Sequence, residues 1–213
     1  MECNSWMHRV SAKTLIESCK GEFGWEELSR DVIMDVGCGV RGYGVQRILQ
    51  LFPAVGTIIG ICKDQEEVDK LKETTKKIEF AVADIEKRET LQNYEGRITK
   101  VISIHVFHQI MEKEEAFRNI YHLLKPGGEV AVLFAIKSVT YEWLTEMLKN
   151  PKWKDAYQGH YVEDLYKREL EASAYKKMVV NIGFQEVKCL GEKRKLAYPS
   201  DKDCKGKNRQ GVV

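Results

Sequence analysis

The stretch from Asp31 to Phe52, DVIMDVGCGVRGYGVQRILQLF, constrains this chain more than any other. Val32, Ile33, Met34 and Val36 make a short apolar run holding one carboxylate, Asp35, and the run breaks at Gly37-Cys38-Gly39. Val45, Ile48, Leu49 and Phe52 then recur at helical spacing. The pattern predicts a buried strand, a glycine turn and a helix, in that order. Two glycines directly after a parallel strand let the main chain turn tightly and let a flat ligand lie on bare backbone, while the helix start offers free N–H groups. A nucleotide-like cofactor suits such a place.

A chain of 213 residues has room for one α/β domain with a sizeable core, and two full domains are not expected. The expected division is a leader helix or lid over residues 1–30, a main domain over 31–199 with a helical insert at about 138–182, and a frayed polar tail over 200–213. A net charge of +2 argues against a dedicated nucleic-acid binder. Nothing approaches the ~20 apolar residues of a membrane span, and the N-terminal stretch has no signal-peptide core, so a cytoplasmic location is expected. The six cysteines are scattered, with no metal-ligand spacing; they read as reduced thiols, and no metal is expected.

Apolar positions at Trp6, Val10, Leu15, Ile16 and Cys19 predict an amphipathic leader helix that caps the sheet edge or lies over the cofactor. Further strands are expected at Thr57–Cys62, Ile78–Ala83, Lys100–Ile104 and Glu129–Ala135, with a sixth at Phe184–Leu190. Between them come a polar helix capped by Asp64 and a helix over Glu112–Leu124 with Phe117, Ile120, Tyr121 and Leu124 inward, stopped at Lys125-Pro126-Gly127-Gly128. Strands alternating with helices give a Rossmann-like, doubly wound, mostly parallel sheet with helices on both faces.

Gly37-Cys38-Gly39-Val40-Arg41-Gly42 also satisfies G-x-G-x-x-G, a dinucleotide fingerprint. Asp35, an acid inside an apolar strand just before the first glycine, turns the motif into D-x-G-x-G. With Ala83-Asp84 after the third strand and Leu124-Lys125-Pro126-Gly127-Gly128 before the fifth, the chain resembles the class I S-adenosylmethionine-dependent methyltransferases over roughly Asp31 to Leu190. More narrowly, Ala116 to Gly128 (AFRNIYHLLKPGG), Ala83-Asp84-Ile85-Glu86 and Asn150-Pro151-Lys152-Trp153 are similar to the arthropod juvenile hormone acid O-methyltransferases. The resemblance implies methyl transfer from S-adenosyl-L-methionine to the carboxylate of an apolar, farnesoic-acid-like small molecule. It places Asp35, Gly37, Cys38, Gly39, Cys62, Lys63, Ala83, Asp84, Ile85 and His105 around the cofactor, with Asp35 at its methionine end and Asp84 at the adenine amine. The oligomeric state is left open.

The chain departs from that family in three places. Cys62-Lys63 stands where the family ends its second strand with an acid that accepts hydrogen bonds from both ribose hydroxyls. A thiol accepts poorly, so cofactor affinity is expected to fall by about one or two orders of magnitude unless Asp64 substitutes. His108-Gln109 replaces the family's His-Trp, and the family's C-terminal part is longer, so the C-terminal part is expected to be truncated here.

A carboxylate acceptor is already ionised and needs positioning at ~3 Å rather than a base; for a hydroxyl or amine acceptor, His108 is the catalytic candidate. Trp143, Trp153, Tyr157 and Tyr161 are candidate walls of an apolar acceptor pocket. Two other readings stay open. One is a catalytically impaired methyltransferase-fold binding protein. The other is an NADP-linked reductase, suggested by G-x-G-x-x-G with Lys63 placed to meet a 2′-phosphate; Tyr121 to Lys125 fits Tyr-x-x-x-Lys but lies on the helix entering Pro126-Gly127-Gly128, away from any expected nicotinamide.

Overall fold

The computed structural model describes residues 5–39, 41–74, 78–137, 139–156 and 171–193. Five strands form one sheet: β1 Val32–Val36, β2 Thr57–Cys62, β3 Glu79–Val82, β4 Ile98–Ile104 and β5 Leu124–Leu133. All pair in parallel, in the order β3-β2-β1-β4-β5. Between and around them lie α1 Ser5–Glu22, α2 Tyr43–Leu51, α3 Gln65–Thr74, α4 Lys113–Leu123, α5 Val139–Leu148, α6 Pro151–Ala156 and α7 Ala172–Ile182.

The two faces of the sheet follow from the period of a strand, which sends alternate side chains to opposite sides. Ile33 of β1, Ile58 of β2 and Ile102 of β4 join a core with Ile16 of α1, Val45 and Ile48 of α2, and Val68 and Leu71 of α3. Met34 and Val36, with Ile59 and Val101, face the other way and pack on Phe117 and Ile120 of α4 and Tyr175 and Val179 of α7. The sheet is therefore covered on both sides, as buried parallel strands require. Asp35 falls on the α2 side by the same alternation, although it is a carboxylate and is only 2% exposed.

The leader helix is present, but its buried face carries Ser11, Ala12, Ile16 and Cys19, while Val10 points outward. It packs on α2 and on the last two strands of the sheet. Asp64 caps α3 as expected, its Oδ1 accepting the N–H groups of Glu66 and Glu67 at 2.8 and 3.3 Å.

The structure corrects four local expectations. Phe184–Leu190 is not a strand: Gly183 and Glu186 both sit at positive φ, and the stretch makes no ladder, although Val187 and Cys189 still pack on the core. Tyr121 lies outward on α4, edge-on to Phe184 at 5.2 Å. Lys125 to Gly128 does not separate helix from strand; β5 already pairs at Leu124 with Ile98, and the Pro-Gly-Gly residues form a bulge before Glu129 pairs with Lys100. Of the expected insert, α7 is part of the core through Tyr175 and Val179. Tyr157, Tyr161 and the tail over 200–213 lie outside the described residues.

Below the sheet, at the N-terminal ends of its strands, Lys100 is held by Glu129 at 2.7 Å and Asp31 at 3.7 Å, and it lies 5.1 Å from the Trp25 ring centre. The Trp25 indole N–H donates to the same Glu129 oxygen at 2.7 Å. This network ties the segment after α1 to β4 and β5, at the opposite end of the sheet from the crevice described next.

Candidate cofactor site

The strand order reverses between β1 and β4, the position where an open parallel sheet leaves a crevice beyond its C-terminal ends. A crevice of about 440 Å³ opens there. Asp35, Gly37, Cys38, Gly39, Cys62, Lys63, Ala83, Asp84, Ile85 and His105 all line it. His108 does not, whereas its neighbour Gln109 does.

Asp35 sits at the floor, where it accepts a hydrogen bond from the Val45 N–H in the first turn of α2. Burial pushes its carboxyl up to about 7, with the Val45 bond opposing the rise. The fit is tight: a Cβ on Gly44 would meet Asp35 Oδ2 at 2.7 Å. The loop above is equally constrained. Gly37 has φ 71°, and a Cβ there would lie 2.3 Å from Val106 Cγ2, so neither the backbone nor the space admits a side chain. Gly39 has φ 60° but nothing within 4 Å of its would-be Cβ, so its bare backbone faces open space in the crevice.

Beyond β3, the Ala83–Glu86 loop is held from several sides. The Asp84 N–H donates to Thr90 Oγ1 at 3.0 Å, and Asp84 Oδ1 accepts the Glu86 N–H at 3.0 Å, which leaves Oδ2 without a partner among the described residues. Asn119 of α4, 1% exposed, donates from Nδ2 to the Ile85 carbonyl at 2.8 Å. Glu86 Oε1 accepts the N–H groups of Met111 and Glu112, both at 3.2 Å. At the end of β2, the Cys62 thiol donates to Glu67 Oε2 of α3 at 2.9 Å, and burial together with Glu67 pushes that thiol up to about 11.

The roof comes from α1. His8 stacks on His105 with ring centres 4.9 Å apart and meets Tyr43 edge-on at 6.4 Å. His105 Nε2 lies 2.8 Å from the buried Ser11 hydroxyl, and its backbone is held at φ 58°. A residue other than glycine in that conformation is strained by roughly 1–3 kcal/mol, a feature that gathers at binding sites. Burial pushes His8 below the ordinary histidine value. It pushes His108 to about 4, helped by nearby Lys113 and His8, so both imidazoles are neutral at pH 7.

His8, Tyr43 and Glu67 are crevice residues that sequence reasoning passed over. His8 and Tyr43 were legible only as members of helices, and Glu67 only as one of two acids, with Glu66, in the first turn of α3; the phase of the helix decides which of them reaches the crevice. Trp143 and Trp153 line a different groove, of about 530 Å³ between α5 and α6, that shares no residue with the crevice. Tyr121 and Lys125 line no part of the crevice, as expected from their position leading into Pro126, while Lys63 does line it.

Residues 34–132 match the family model described as a methyltransferase domain. The matched stretch, just under half of the chain, is similar to the methyltransferase domains of that family. The chain is 24% identical over 184 residues to juvenile hormone acid O-methyltransferase of Drosophila melanogaster and 25% identical over 192 residues to that of Bombyx mori. Those matches take in 84% and 86% of this chain but only 62% and 67% of the two relatives. A solved carbon methyltransferase, CurJ, superposes with a TM-score of 0.62 at 18% identity, over 89% of this chain and 50% of that one. It has the same fold.

The cofactor of such a domain is S-adenosyl-L-methionine, and the residues present fit it. Asp35 is a buried carboxylate whose ionised form has no counter-charge among the described residues, so a cationic ligand end suits it. The open face at Gly39 admits a flat ligand against main chain, and Asp84 Oδ2 offers an acceptor beside it.

Proposed function

We propose that this chain is an S-adenosyl-L-methionine-dependent methyltransferase of small molecules, acting on the carboxylate of an apolar acid of the farnesoic or juvenile hormone acid kind. The observation that carries the reading is the crevice floor, where Asp35, Gly37 and Gly39 combine a buried acid with bare, pre-shaped backbone. The similarity to the fly and silkworm juvenile hormone acid O-methyltransferases supports the acceptor class.

When bound, the cofactor supplies a methyl group already activated by its sulfonium. The chain's own contribution is positional and electrostatic. Asp35, ionised, holds the positive end; the backbone at Gly39 and the Asp84 carboxylate hold the nucleoside; and His8, His105 and Ser11 close the roof against water. The neutral His8 places an imidazole at the roof, and Gln109 and Ile110 also line the crevice. No base is needed for an ionised acceptor. His108, neutral and outside the lining, is a base only for a hydroxyl or amine acceptor, and its catalytic role stands as a proposal for that case alone.

Gln109, facing the crevice where the family has an aromatic wall, favours a second reading in which the fold binds cofactor without turning over. Incubation with radiolabelled S-adenosyl-L-methionine and a panel of fatty and terpenoid acids separates the two. Label in an organic-extractable ester is expected; bound cofactor with no ester would establish the second reading.

A further inference from the structure

The end of β2 lacks the acid that the family uses there, yet the crevice does not lack a carboxylate at that place. Glu67 reaches it from α3. We propose that Glu67 accepts the two ribose hydroxyls of the cofactor, replacing from a helix the acid that is missing at Cys62. The inference rests on the methyltransferase reading above and deepens it.

The geometry of α3 makes this possible. Val68 and Leu71, both buried where α3 packs on β2 and β3, fix the rotation of the helix, and Glu67 in its first turn then falls over the strand end. The Cys62 thiol donates to Glu67 Oε2 at 2.9 Å and thereby anchors the carboxylate above the position its own side chain vacates. Burial keeps Cys62 protonated at any physiological pH, so it remains a donor. A carboxylate has about four acceptor sites, and the thiol takes one, which leaves enough for a vicinal diol.

The neighbouring candidates are less suited. Asp64 also borders the crevice, but its Oδ1 is committed to the Glu66 and Glu67 N–H groups that start α3. Lys63 carries no acceptor. Cysteine at 62 is then a part of the device rather than a defect: it is the group that orients the replacement acid.

Calorimetric titration with S-adenosylhomocysteine and with its 2′,3′-dideoxy analogue tests the assignment, with melting temperatures recorded for each variant. The wild-type chain should prefer the natural ligand by about tenfold or more, the size expected of a hydrogen bond to a charged group. Glu67→Gln should lose most of that preference while melting as the wild type does, Asp64→Asn should keep it, and adding Cys62→Asp to Glu67→Gln should restore it. A Glu67→Gln variant that still discriminates as the wild type does overturns the proposal, as does loss of discrimination in Asp64→Asn alone. A wild-type chain that binds the dideoxy analogue equally well sinks the proposal and leaves the cofactor reading intact; one that binds neither ligand sinks both.

Discussion

Gly37 and Gly39 share a positive φ but differ in what surrounds them, and the difference predicts two separable failures. An alanine at either position adopts a left-handed backbone at a cost of about 1–2 kcal/mol. At Gly37 the new methyl also arrives 2.3 and 2.9 Å from the two Cγ atoms of Val106. Val106 is short and β-branched and cannot swing clear, so overpacking adds roughly 1–3 kcal/mol. Gly37→Ala should therefore melt about 2–12 °C below Gly39→Ala, at roughly 2–4 °C per kcal/mol for a chain of this length. At Gly39 the methyl meets nothing within 4 Å and enters the crevice instead. Gly39→Ala should lose only the backbone contribution to stability, yet weaken S-adenosyl-L-methionine binding by at least tenfold in a calorimetric titration. Equal melting temperatures for the two variants would refute the packing argument, and wild-type affinity in Gly39→Ala would refute the placement of the cofactor on that backbone.

Four further outcomes follow from the electrostatics. Because the Asp35 carboxyl is pushed up to about 7, cofactor affinity should rise roughly tenfold per pH unit below that value and level off above it; a flat profile would count against Asp35 as counter-ion. The same shift has a stability sign: the folded value exceeds the ordinary one of 3.8, so the contribution is complete below pH 4 and is lost as pH climbs through 7, and Asp35→Asn should remove that slope from melting curves. His108 runs oppositely, with a folded value of about 4 below its usual 6.5, so its contribution is present above pH 6.5 and lost as pH falls through 4; His108→Gln should soften acid unfolding and leave carboxylate methylation unchanged. Glu129→Ala strips both the Lys100 ammonium and the Trp25 indole of their shared acceptor and should cost about 2–4 kcal/mol in urea unfolding with cofactor affinity unaltered.

The centre of the fold was legible because its signals are local. The apolar run before Gly37, the six residues Thr57–Cys62 and the Asp64 cap depend on near neighbours, and the structure has all three where periodicity and capping put them. Phe184–Leu190 has the alternation of a strand, and Val187 and Cys189 do pack inward, but a strand also needs a ladder partner, which no period reveals. Lys125 to Gly128 read as a stop because proline and glycines end helices; that β4 begins early enough for Ile98 to pair with Leu124 is a matter of register between distant segments. The crevice divides in the same way. Asp35 and the glycines announce themselves, whereas His8 depends on where α1 lies over the sheet, and Glu67 on the phase of α3 against β2.

Isothermal titration of S-adenosyl-L-methionine into the purified chain at pH 8, where Asp35 is ionised, puts the central claim to its most direct test. The structure predicts a one-to-one isotherm that Asp35→Asn weakens by at least tenfold without unfolding the chain. The absence of heat at high micromolar cofactor, or an isotherm indifferent to Asp35, would contradict it.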